Sequence, residues 1–169
     1  MKVWDELRRR PNWLACVLLP LLHFASVKLT FSCAVSPENE VVVWLPNAVL
    51  LASLLHYRGQ RAPLLAALAF TSDLLANLPV FPPAQALCLA LVNLTEVLIT
   101  FVLMRRAGAS PTLERLPDVG AFVVAGPLVG ALAASLLAGA VLRTLPDVSA
   151  PYPALVLLWR FGDALGLLR

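Results

Sequence analysis

Six long apolar stretches constrain this chain more than any other feature of its sequence. They cover residues 13–35, 41–57, 62–79, 84–104, 118–142 and 151–168. A helix needs about 20 apolar residues to cross the roughly 30 Å hydrocarbon layer of a bilayer, and somewhat fewer when polar end residues reach the headgroups. The stretches are rich in Leu and Ala and lack the alternation of a membrane strand. The pattern predicts an all-α, polytopic transmembrane helix bundle of about six spans.

The overall composition excludes most soluble classes of protein. Of the 169 residues, 60% are hydrophobic and 14% are charged, whereas a soluble domain is nearer half apolar and a quarter charged. Cys16, Cys33 and Cys88 lie inside apolar runs without a Cys-x-x-Cys pair, which argues against a disulfide framework or a metal site. The net charge of +3 comes from scattered basic residues, so we expect no nucleic-acid partner.

The sequence contains none of the common catalytic motifs. There is no phosphate-binding Gly-rich loop ending in Lys-Ser/Thr, no His-Glu-x-x-His helix and no Gly-x-Ser-x-Gly turn. The segment 161–166 superficially resembles the signature of diguanylate cyclases, but it lies in an apolar run instead of a soluble hairpin. We therefore predict no enzymatic activity, no catalytic residue, no cofactor and no bound metal.

The basic residues predict how the chain is oriented. Ten Lys and Arg residues flank the spans on one side and Arg143 alone lies on the other. Because basic loops stay in the cytoplasm during insertion, the chain is predicted to be a multi-pass membrane protein with both termini cytoplasmic. Residues 1–12 form a basic cytoplasmic terminus and 13–169 the membrane domain. A cleaved signal peptide is the alternative for the first span, but that span is too long and contains Lys28.

Eleven of the 14 prolines lie at or outside the edges of the predicted spans, and three, Pro20, Pro46 and Pro127, are internal. Each removes one backbone hydrogen bond and crowds the preceding turn of a helix. We therefore expect a kink at each of these positions.

Polar side chains within the spans are the candidate functional residues, because such groups are costly in hydrocarbon and often serve a function there. The candidates for binding a ligand or signal are Asn47, Asp73, Asn77, Asn93, Glu96, Trp159, Arg160 and Asp163. Residues three or four apart share one face of a helix, and this spacing pairs Asp73 with Asn77, Asn93 with Glu96, and Arg160 with Asp163.

Two interpretations of these groups remain open. They either brace the helices against one another, or they form a small polar cavity, reached from the outer face, that binds a ligand or a proton. For Asp73 with Asn77 the two interpretations are equally supported. For Arg160 with Asp163 a structural ion pair is favoured, because opposite charges on neighbouring turns of a helix can neutralise each other.

Small residues recur every four positions in the fifth span, at Gly126, Gly130, Ala134 and Ala138. Such a strip allows the backbone of another helix to approach closely. An ordinary contact within the chain is favoured, and the seam of a homodimer is the alternative.

Five motifs in a fixed order give the chain its family resemblance. They begin at Trp44 (Trp-Leu-Pro-Asn-Ala), Arg61 (Arg-Ala-Pro), Ala76 (Ala-Asn-Leu), Asn93 (Asn-Leu-Thr-Glu-Val-Leu) and Trp159 (Trp-Arg-Phe-Gly-Asp-Ala-Leu-Gly). The series resembles the first class of bacterial membrane-associated sensor domains, the MASE type, over roughly residues 12–169. The matching positions are Asn77, Asn93, Glu96, Trp159, Gly162, Asp163 and Gly166. Asn47 and Arg160 depart from the pattern, which more often has a small residue and an aromatic or apolar residue there.

The resemblance implies an integral membrane input domain, usually of about eight spans, that precedes a cytoplasmic signalling module. Since this chain ends at Arg169, we expect it to be a fragment or a truncated product without the last spans and the output module. The implied function is detection of an extracytoplasmic or membrane-borne stimulus for a histidine kinase or diguanylate cyclase output. The implied partners are the lipid bilayer, the output module and an unknown small ligand.

Two other functions remain open. The same buried acids could form a substrate or proton site in a small transporter or channel component, although no internal repeat supports this. Alternatively the chain could be a structural subunit whose polar groups only brace helices.

Overall fold

The computed structural model describes residues 13–32, 43–57, 62–146 and 148–168, and this part of the chain is all-α. It contains six helices: α1 (Trp13–Ser32), α2 (Pro46–His56), α3 (Ala62–Asn77), α4 (Pro83–Arg106), α5 (Leu116–Leu142) and α6 (Tyr152–Leu168). Each helix falls on one of the six apolar stretches. The predicted fold class, an all-α helix bundle, is therefore confirmed.

The six helices differ in whether they are long enough to cross a bilayer. By length and composition α1, α4 and α5 qualify, while α2 and α3 are apolar but shorter. The 11 residues of α2 rise only about 16 Å, roughly half of the hydrocarbon thickness. The second predicted span is thus a half-length helix preceded by non-helical backbone at residues 43–45.

Helix α4 occupies the centre of the bundle, where it packs against α2, α3 and α5. Helix α1 covers α3 and α2 on one side, and α6 packs against α5 on the other. Many Leu and Val side chains face outward, among them Leu91 on α4 and Leu165 on α6. An apolar outer face of this kind suits contact with lipid.

The three internal prolines have different structural roles. Pro46 is the first residue of α2, so its predicted kink is wrong: a first-turn proline lacks only an N–H that would have no partner in the helix. Pro127 lies in a π-helical turn, Val124–Gly130, in the middle of α5. Pro20 lies inside α1, where its carbonyl oxygen accepts a hydrogen bond from the hydroxyl of Ser72 at 2.7 Å.

The non-helical segment before α2 is held by α6. The backbone N–H of Trp44 donates to the carbonyl oxygen of Gly162 at 2.9 Å. One turn further along α6, a side chain at Gly166 would collide with the Trp44 backbone. Irregular backbone is tolerated at membrane depth only where protein covers it, and Trp44 is buried here.

The small-residue strip of α5 faces α4 of the same chain. A Cβ atom at Gly130 would come within 2.5 Å of the Thr100 hydroxyl, and one at Gly126 within 3.3 Å of the Thr100 methyl group. Ala134 and Ala138 are fully buried and pack in a cluster with two residues of α4. The strip therefore packs against α4 of the same chain, the favoured of the two alternatives.

Candidate functional site

Asp73 on α3 is the centre of one group of buried polar side chains. Its Oδ2 accepts a hydrogen bond from Asn93 Nδ2 on α4 at 2.9 Å. Its Oδ1 accepts a longer bond from Asn77 Nδ2 at 3.2 Å, and the same amide donates to the Asp73 carbonyl at 2.8 Å. The predicted pairing of Asp73 with Asn77 is therefore confirmed, and Asn93 connects this pair to the central helix.

Glu96, one turn after Asn93 on α4, is the centre of a second group. Its Oε2 accepts a hydrogen bond of 2.6 Å from Asn47 Nδ2. Asn47 is the second residue of α2, so the amino-terminal end of this half-length helix lies beside the carboxyl group. The partial positive charge of a helix amino terminus favours a nearby anion.

Asp163 on α6 lies next to Glu96. The two carboxyl groups interact directly. The Asp73 carboxyl group also interacts with Asp163 electrostatically, without contact. Asp163 Oδ2 and Glu96 Oε1 are buried without a hydrogen-bond partner in the described part of the chain. The same is true of the Asn93 side-chain oxygen.

These six side chains form what we call the carboxyl–amide network: Asn47, Asp73, Asn77, Asn93, Glu96 and Asp163. Its members come from α2, α3, α4 and α6, and none is more than 4% exposed. The network combines three carboxyl groups with three neutral amides.

No basic side chain of the described residues pairs with these carboxyl groups. The Lys28 ammonium group donates instead to the Ala76 carbonyl at 3.0 Å and lies 5.5 Å from the ring centre of Phe24. The ion pair that the described residues do form, Arg115 with Asp118 at 3.1 Å, belongs to the start of α5.

One of the pairings predicted from helical spacing, Arg160 with Asp163, is wrong. Within the described residues no ion pair joins Arg160 to Asp163, and Arg160 is half-buried outside the network. Asn93 and Glu96 both lie on a buried face of α4, as their spacing predicted, and each takes its hydrogen-bond partner from a different helix. Spacing along one helix shows which residues share a face, but it carries no information on what packs against that face.

Aromatic side chains cover one side of the network. The rings of Trp44 and Trp159 lie with centroids 6.3 Å apart, and Phe31 meets Trp44 edge-on at 5.7 Å. Trp159, one turn before Asp163, interacts with that carboxyl group outside hydrogen-bond geometry. Trp44 was not among the predicted site residues. A tryptophan two residues before Pro46, near the start of a predicted span, is the sequence signal that could have identified it.

Two surface cavities of the described part lie away from the network. The larger, about 520 Å³, is lined by α2, α5, α6 and the loop before α5; the smaller, about 290 Å³, lies between α4 and the end of α5. No network residue lines either cavity.

The MASE1 family model matches residues 13–168. This chain belongs to the MASE1 family. MASE1 domains are membrane-associated sensory domains, so the chain is a membrane domain with a sensory input role. No curated protein and no solved structure matches the chain.

The MASE1 match covers the whole carboxyl–amide network. The two departures from the family pattern lie in different surroundings. Asn47 is fully buried and donates to Glu96, so this position supplies the carboxyl group with a hydrogen-bond donor. Arg160 lies outside the network, where it places a charge at a half-buried position.

Proposed function

We propose that this chain is the input domain of a signalling protein in the bacterial inner membrane, with both termini cytoplasmic. It detects an extracytoplasmic or membrane-borne stimulus through the carboxyl–amide network and passes the signal to a cytoplasmic module of the histidine kinase or diguanylate cyclase type. In this proposal residues 1–12 are a cytoplasmic segment and 13–169 are the sensor domain. The lipid bilayer, the output module and a small ligand are its partners, and self-association into a homodimer is compatible with it.

The observation that supports the proposal best is that one buried network connects four helices. Its groups come from α2, α3, α4 and α6, and three of its acceptor oxygens lack a partner among the described residues. A ligand shifts a conformational equilibrium only when it binds the two states with different affinity. A change in occupancy or charge within the network alters the contacts of α6 with α2 and α4, which would tilt α6.

The test is a fusion of the chain to a cytoplasmic diguanylate cyclase or kinase module, with output measured in cells. Glu96→Gln and Asp163→Asn remove charge with almost no change of shape. We expect either change to shift the output several-fold at equal membrane levels. Glu114→Gln, in the exposed loop before α5, is the matched control and leaves the output unchanged. Unaltered output from both network variants would contradict a role in signalling.

The half-length helix α2 favours a second candidate, a transporter or channel component. Discontinuous helices with buried acids are found at the ion and substrate sites of transporters. That function predicts ion or substrate flux in vesicles reconstituted with the purified chain, and Asp73→Asn abolishes the flux. Vesicles that show no flux, combined with an altered output in the fusion assay, would support the sensor.

A further inference from the structure

No positively charged side chain of the described residues balances the carboxyl groups of the carboxyl–amide network. Three carboxyl groups lie within it, and no basic group of the described residues forms an ion pair with them. On α1, Lys28 donates to a backbone carbonyl, and the buried His23 forms no ion pair among the described residues. On α6, Arg160 makes no ion pair with Asp163.

The other helices that pack around the network do not supply a cation either. His56 lies at the opposite end of α2 from Asn47. Arg105 and Arg106 lie in the last turn of α4, more than two turns after Glu96. Within α5 the charged residue is Asp118, which already pairs with Arg115. Burying an uncompensated charge costs several kcal/mol or more.

The unpartnered atoms of the network are all acceptors. They are Glu96 Oε1, Asp163 Oδ2 and the Asn93 side-chain oxygen, which belongs to a neutral residue. The Asn93 Nδ2 donates to Asp73. The carboxamide atom that receives no hydrogen bond is therefore Asn93 Oδ1. The Trp159 indole near Asp163 can add one N–H donor but no positive charge. Buried acceptor oxygens that receive no hydrogen bond are stabilised by a bound cation.

The packing also limits the size of the occupant. Glu96 and Asp163 are 0% and 1% exposed, and the two surface cavities described above border other residues. An organic ligand does not fit between side chains this closely covered. The occupant of the site can therefore be no larger than a proton or a single small ion.

We propose that the network is a binding site for a small monovalent cation, a proton or a sodium ion, held by the oxygens of Glu96, Asp163 and Asn93. The identification of this cation as the ligand of the sensor rests on the proposed function. Binding of the cation itself can be measured without any signalling output. Occupation neutralises part of the buried charge and draws α6 towards α4. Loss of the cation leaves Glu96 and Asp163 to repel each other.

Binding is tested on the purified full-length chain in lipid nanodiscs by thermal unfolding. Sodium is varied at fixed pH with choline chloride keeping the ionic strength constant, and pH is varied in the absence of sodium. A ligand that binds only the folded state raises the unfolding midpoint, by roughly 3–5 °C for each tenfold increase above its dissociation constant. A rise with sodium at constant pH identifies a sodium site. A rise only with acidification identifies a proton site.

Variants separate this site from other effects of salt and pH. Glu96→Gln and Asp163→Asn flatten the cation dependence, whereas Asp118→Asn, a carboxyl neutralised outside the network, keeps the wild-type slope. Binding of radioactive sodium to the wild-type chain, with protons as competitor, serves as a second measurement in case a variant fails to fold. A midpoint that responds to neither cation, or a slope that survives in both network variants, would overturn the proposal. If the variants still alter the output of the fusion, the sensor proposal stands and only its ligand is wrong.

Discussion

At the scale of single residues, Asp73 and Glu96 receive their hydrogen bonds from neutral amides. Asn93 and Asn77 donate to Asp73, and Asn47 donates to Glu96. An amide supplies directed N–H groups without a second buried charge, and so avoids the desolvation of a full ion pair. The cost of this arrangement is that removing one amide leaves a carboxyl oxygen buried without a donor.

Replacing Asn93 with leucine removes the donor to Asp73 Oδ2. We expect Asn93→Leu to lower the free energy of unfolding by about 1–3 kcal/mol, because a buried acceptor loses its partner. In an Asp73→Asn background the same change costs less, since no carboxylate is left unpaired. Denaturant unfolding of both single variants and the double variant measures this coupling. Strictly additive losses would show that the two side chains do not interact.

The members of the network could be found from sequence, but their partners could not. Asp73, Glu96 and Asp163 stand out because each interrupts an apolar run. That Asn47 contacts Glu96, 49 positions away, depends on how α2 packs against α4. Arg160 shows the same limit, because its sequence position beside Asp163 does not determine where its long side chain points.

At the scale of elements, the half-length helix α2 and its docking on α6 define the site. The sequence predicted a span from residue 41 to 57, but helical structure begins only at Pro46. Apolar character does not distinguish a helix from buried non-helical backbone. The reason for the non-helical segment is tertiary: Trp44 takes its backbone partner from Gly162, and Gly166 leaves room for it.

Gly166→Ala tests this docking directly. The new methyl group would collide with the Trp44 backbone, so we expect a loss of about 1–3 kcal/mol, typical of overpacking, or a failure to insert. Gly120→Ala on α5 is the matched control, because no neighbouring atom lies within 4 Å. It should leave stability unchanged or raise it by about 0.5–1 kcal/mol through better helix propensity. Unfolding midpoints in detergent compare the two, and equal behaviour would refute the close contact.

The α4–α5 contact allows a similar test with a compensating change. Gly130→Ala places a methyl group against the Thr100 hydroxyl, and we expect it to lower stability by about 1–3 kcal/mol. Adding Thr100→Ala removes the obstructing atom and should restore part of the loss. Unfolding of the single and double variants measures the recovery. No recovery at all would mean that Gly130 does not face Thr100.

At the scale of the whole molecule, hydropathy predicted the class of fold correctly, and in the described residues each of the six predicted spans contains a helix. It did so because lipid imposes one strong requirement, that backbone hydrogen bonds close within each segment. The length of α2 could not be predicted, since it depends on which parts of the chain are shielded by other helices. The MASE1 match shows that the chain belongs to a class of sensory domains, a conclusion that no single residue allows.

The predicted orientation can be tested by labelling cysteines in intact cells. In a variant with the native cysteines replaced, we expect Ser149→Cys to react with a membrane-impermeant maleimide from outside. Thr112→Cys should react only after permeabilisation, because its loop carries Arg105, Arg106 and Arg115. Both residues are surface-exposed in the structure. The opposite pattern would place both termini outside.

The central claim is that Asp73, Glu96 and Asp163 are buried inside the bundle and do not face the lipid. Carbene labelling of the wild-type chain in bilayers, with a photoactivated diazirine lipid and peptide mapping, measures this without any substitution. We predict adducts on outward-facing side chains such as Leu91 and Leu165, which are 47% and 42% exposed, and none on the three carboxyl groups. Adducts on Glu96 or Asp163 at the level of Leu91 would contradict the account.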